Sequence, residues 1–67
     1  MMVLENEKYK DIKTGKIVTV YEVGYNFSLD AHKNNKDLLH PDKFDNQTLM
    51  EIGWNIINDN PDEFKKI

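Results

Sequence analysis

Sixty-seven residues, 39% apolar and 31% charged, make one small domain whose single core supplies no more than about 3–5 kcal/mol. That size excludes a two-domain enzyme, a dinucleotide-binding fold and a barrel with a deep pocket. The net charge of −3, with nine cations that are all Lys, lacks the basic field and the Arg side chains on which nucleic-acid readers rely.

In chain order, the first signal is a hairpin. Lys16-Ile17-Val18-Thr19-Val20-Tyr21-Glu22-Val23 is dense in β-branched and aromatic residues, the composition of a strand. Gly15 before it supplies the positive φ of a tight turn. The segment Val3 to Ile12 pairs back across that turn, with Tyr9 and Ile12 as apolar anchors. Gly24 interrupts the strand as a bulge or a turn. Tyr25-Asn26-Phe27-Ser28-Leu29 then alternates as a third strand, because two strands alone are marginal in water.

Residues 30–43 are polar and broken by Asn34-Asn35 and Pro41, and read either as holding one short helical turn or as a long loop. Asp45 is a good N-cap, and a helix follows to Ile57. Leu49, Ile52, Gly53 and Ile56 lie on one side of it, and Met50, Trp54 and Ile57 on an adjacent side. This stripe is wide for one helix, and Gly53 within it implies a close approach to the sheet or to another backbone. Asn60-Pro61 ends the helix. Asn60-Pro61-Asp62-Glu63 then reads as a new helical start with Phe64 and Ile67 as anchors. The rival reading makes Glu63–Ile67 a closing strand. The fold class is α+β: residues 1–29 form an antiparallel β-hairpin with a third strand, 30–43 a loop, 45–57 a helix packed on the sheet, and 60–67 a closing segment. With a strand at 63–67 the arrangement becomes SH3-like.

His40-Pro41-Asp42-Lys43 resembles the histidine-proline-aspartate signature of J-domain co-chaperones, which stimulate a heat-shock chaperone ATPase. The signature there joins two antiparallel helices. Here the likeness covers four residues, and the chain ahead of it offers a broken loop and a hairpin, so Pro41 is read as shaping the loop and Asp42 as helping to start the next helix. His32 and His40 share that loop with Asp30, Asp37 and Asp42, but match no rigid metal-ligand spacing. With no cysteine, there is neither a disulfide nor a thiolate centre. Ser28 sits on no nucleophile elbow, so no catalytic residue, metal or cofactor is expected. The same lack of cysteine favours a reducing, cytoplasmic setting. No apolar run nears the roughly 20 residues that span a bilayer, and Met1 to Glu5 lacks signal-peptide character.

The size, the Asn- and Ile-rich composition and the all-Lys cations resemble small accessory proteins of phages and prophages of low-GC bacteria. That resemblance implies a non-enzymatic accessory or inhibitor protein. The expected contact surface is apolar and acid-rimmed on the C-terminal helix: Met50, Glu51, Trp54, Ile57, Asp59 and Phe64, with a protein partner or a second copy of the chain. The alternative is weak single-stranded nucleic-acid binding by the hairpin through Lys8, Lys10, Lys13, Lys16 and Tyr25.

Overall fold

The computed structural model describes residues 8–67; the hairpin expectation for Val3 to Glu7 lies outside them. The elements are β1 (Lys8–Asp11), β2 (Ile17–Thr19), α1 (Val20–Asn34), a single 3-10 turn (Pro41–Lys43), α2 (Asn46–Asp59) and β3 (Phe64–Lys66). The strands form one antiparallel sheet in the order β2-β1-β3. The fold is α+β, with a helical pair on one face of a small sheet. An SH3-like arrangement does not form, because the stretch from Val20 to Leu29, expected to complete the sheet, lies in a helix.

The hairpin turns where the sequence places it. Gly15 has φ +75°, and its N–H donates to the Asp11 carbonyl at 2.7 Å. The Asp11 carboxylate accepts from the Lys13 N–H at 3.0 Å, an Asx turn that competes with continued strand pairing. Tyr9 is 2% exposed and anchors the core, whereas Ile12 is 54% exposed and anchors nothing. The β1–β3 pairing explains the difference: the Ile12 N–H donates to the Glu63 carbonyl at 2.9 Å, so its backbone extends the sheet while its side chain faces out.

The strand read over 16–23 stops at Thr19. Thr19 is the N-cap of α1, in a reciprocal capping box with Glu22. The Glu22 N–H donates to Thr19 Oγ1 at 3.2 Å, and the Thr19 N–H donates to Glu22 Oε1 at 3.2 Å. Beyond it, Val20, Val23, Gly24 and Ser28 are buried, the i, i+3, i+4, i+8 pattern of one helix face. That burial outweighs the small helix penalty of Val and Tyr. Gly24 and Tyr25 to Leu29 are therefore helical, neither bulge nor third strand, and residues 30–34 continue the helix. Thr19→Ala removes the cap, with an expected loss of about 1 kcal/mol, read by thermal denaturation followed by circular dichroism. An unchanged melting temperature would show that the box does not hold this boundary.

Helix α2 begins at its expected cap. The Thr48 N–H donates to Asp45 Oδ1 at 2.7 Å. Hydrogen bonds from the Thr48 side chain and N–H hold the Asp45 carboxyl below the usual carboxylate range. The wide stripe of α2 is covered mainly by α1. At the crossing, a Cβ on Gly24 would collide with the Leu49 carbonyl oxygen, and one on Gly53 with the Val20 carbonyl oxygen. Each glycine thus lies against the carbonyl four residues before the other, so the helices run antiparallel and touch backbone to backbone. Such crossings favour Cα–H···O contacts of about 0.5–1 kcal/mol each.

The third strand is Phe64–Lys66, the closing strand of the rival reading. Residues 61–63 form a turn, with the Glu63 N–H donating to the Asn60 carbonyl at 3.0 Å. Tyr9, Val20, Val23 and Ile57 form the core, with Val18, Met50, Ile56 and Phe64 packed against it.

Candidate functional site

An apolar groove of about 410 Å³ opens between the helices and their connection. Phe27, Ser28 and Ala31 of α1 form one wall, Ile52 of α2 the other, and Asp37, Leu38, Leu39 and Phe44 close the end. Phe27, Leu38 and Leu39 are 56%, 48% and 58% exposed. The groove exists because α1 runs past the crossing at Gly24, leaving its last turns without α2 against them.

Local hydrogen bonds hold the connection in place. Asn35 ends α1, and its side chain accepts from the Asp37 N–H at 3.1 Å. The Leu38 N–H donates to the Asn35 carbonyl at 3.0 Å. The Leu38 carbonyl lies 2.6 Å from His32 Nδ1, which donates as the Nδ1–H tautomer. The His40 ring packs edge-on against His32 at 5.2 Å. These contacts turn two leucines outward over the groove, in a segment whose composition reads as polar loop.

His40 caps the 3-10 turn Pro41–Lys43 ahead of α2, with Pro41 buried. His40 Nδ1 accepts from the Asp42 N–H at 3.1 Å. The same nitrogen is 3.4 Å from Asp42 Oδ2, which is no ion pair while the imidazole is the neutral acceptor. Asp42 accepts from the Tyr25 hydroxyl at 3.0 Å, and this bond to a carboxylate pushes the Tyr25 phenol up. Asp42 therefore ties the connection to α1, and Asp45 alone caps α2. Among the described residues no three His, Cys, Asp or Glu side chains stand together as metal ligands, and no helix is long and apolar enough to cross a membrane.

The charges near the groove are mixed, with Lys36 next to Asp37 and Lys43 next to Phe44 in the chain. Asp37 is its charged lining residue. Asp45 and Asp59 lie seven residues before and after Ile52, on the same side of α2. Asp30 lines the adjoining cleft, which shares Phe27. The stretch from Asp45 to Asp59 contains no Lys.

The surface expected on α2 is divided. Ile57 is 2% exposed and belongs to the core. Met50 and Phe64 are half-buried against that core. Glu51, Trp54 and Asp59 are exposed, Trp54 by 39%. Two positions from Ile52, Trp54 lies about 200° round the helix, away from the groove. Lys8 and Lys10 share one sheet face, Lys16 precedes β2, and Lys13 lies 3.8 Å from Glu63 in an exposed ion pair. Tyr25 is on α1, bonded to Asp42, and is no part of the hairpin. The signals that locate the groove are the Leu38-Leu39 pair and the helical spacing of Phe27 and Ala31. Comparison with protein-family models, curated proteins and solved structures finds no match to this chain.

Proposed function

We propose that the protein is a non-enzymatic protein-binding module that seats an apolar side chain of a basic partner segment in the groove between α1 and α2. The observation that carries this reading is an apolar opening of about 410 Å³ flanked by three exposed large apolar side chains. Pockets of that size suit one anchoring side chain or a small ligand, and buried anchors dominate binding energy. Asp37, in the lining, favours a Lys or Arg beside the anchor. Such a role fits an accessory or inhibitor protein of the class that the composition resembles, acting in the cytoplasm.

The test is a titration with an amidated Lys-Leu-Phe-Lys peptide, followed by methyl NMR of the full chain. Leu38, Leu39 and Ile52 methyl signals are expected to move. Leu39→Ser should weaken binding by tenfold or more, the worth of burying about half a leucine or more, with an unchanged melting temperature because Leu39 is exposed. Loss of binding on Trp54→Ser but not on Leu39→Ser would move the interface to the opposite side of α2 and overturn the groove. Equal binding by a Lys-Ser-Ser-Lys peptide would overturn the apolar anchor.

A further inference from the structure

The outer face of the sheet carries a second surface, of opposite sign. Tyr9, Val18 and Phe64 point to the helices. By strand alternation the other face presents Lys8 and Lys10 from β1, Ile17 and Thr19 from β2, and Lys65 from β3. Lys10 stands directly between Ile17 and Lys65, and Lys8 opposite Thr19. Ile67 adjoins Lys8, to whose carbonyl its N–H donates at 3.3 Å. Ile17 is 50% exposed and Ile67 69%.

Two features separate this face from an ordinary solvated one. Lys10 and Lys65 are direct cross-strand neighbours, and like charges placed so are destabilising. Lysines also guard sheet edges against unwanted pairing, but Lys8 and Lys10 lie on β1, the central strand, where there is no edge to guard. Among the described residues no ion pair involving these three lysines is formed. The arrangement gathers three positive charges with Ile17 and Ile67 on one face, and Ile12 and Glu63, the latter paired with Lys13 at 3.8 Å, lie at its end.

We propose that this face docks an acidic amphipathic helix of a protein partner, with carboxylates over Lys8, Lys10 and Lys65 and an apolar stripe against Ile17 and Ile67. A helix is the natural third layer on a sheet whose other face already holds two. Nucleic acid fits less well. The face has no aromatic platform for bases: Tyr9 lies beneath it, and Tyr21 and Tyr25 are on α1. A phosphate backbone would leave both isoleucines uncovered. Lipid headgroups draw on basic clusters of about four to eight, more than this face holds.

The probe is a synthetic helical peptide of about 18 residues, long enough to hold its helix, with a leucine stripe bordered by Glu. An oligothymidylate and phosphatidylglycerol vesicles serve as rival arms on the same full-length chain. The Glu-bordered peptide is expected to move the Ile17 and Ile67 methyl signals, and its binding to weaken with salt. Lys10→Gln with Lys65→Gln should reduce its affinity about tenfold. That variant relieves a repulsion, so its melting temperature should hold or rise, which separates lost binding from lost fold. Unchanged affinity in the double variant, tighter binding of the oligothymidylate or the vesicles, or binding of none of the three would overturn the proposal.

Discussion

Gly53→Ala is expected to remove much of the protein's stability, although alanine is the better helix former by about 1 kcal/mol. The added methyl would overlap the Val20 carbonyl oxygen, a backbone atom held inside α1, and no rotamer change relieves it. The helices would have to move apart, uncovering Leu49, Val20 and Val23. Overpacking in a core costs about 1–3 kcal/mol and sometimes more, against a total that at this size is about 3–5 kcal/mol. Gly24→Ala meets the Leu49 carbonyl in the same way and should behave alike. Gly15→Ala is the control: its φ of +75° is strained for alanine but nothing lies within 4 Å of the new atom, so the loss stays at about 1–2 kcal/mol. Urea denaturation of the three variants decides the matter. A Gly53→Ala protein as stable as the parent would show that the helices do not touch backbone to backbone.

Tyr9→Ala should be comparably severe. Tyr9 is 2% exposed on the middle strand and meets Val20, Val23 and Ile57. It is the largest side chain joining sheet to helices. Truncating a buried aromatic costs about 3–5 kcal/mol, so the sheet should detach while α1 and α2 keep part of their helical signal. Lys10→Ala, one position along the same strand but on the outer face, should leave the midpoint within about 0.5 kcal/mol of the parent. A Tyr9→Ala protein that melts as one unit near the parent temperature would contradict this core.

The hairpin turn, the start of α2 with its Asp45 cap and the close approach at Gly53 are legible in the sequence, because each follows from local chemistry, whereas α2 runs on to Asp59, two residues past the expected end. Helix α1 is harder to read. Val18-Thr19-Val20-Tyr21-Glu22-Val23 carries strand-forming residues across the point where strand becomes helix, and composition alone does not mark the boundary. The capping pair Thr19 and Glu22, with apolar spacing from Val20 through Val23 and Gly24 to Ala31, does mark it. Once α1 is a helix, the wide stripe of α2 has a second helix to cover it, and what remains outside is Trp54 alone. The groove escaped sequence reading for a tertiary reason: Leu38 and Leu39 sit in a polar stretch, and only the fold brings Phe27, Phe44 and Ile52 beneath them.

The pairing of β1 with β3 joins opposite ends of the described chain, Tyr9 facing Lys66. The β1–β2 hairpin and the helical pair close over shorter loops and can form early, whereas this long-range pairing bears the largest closure entropy and comes late. During synthesis β1 therefore emerges first and waits with one flank unsatisfied until residues 64–66 have left the ribosome. Throughout that interval the nascent chain exposes an open strand edge to its neighbours, and the rate of elongation sets how long the hazard lasts.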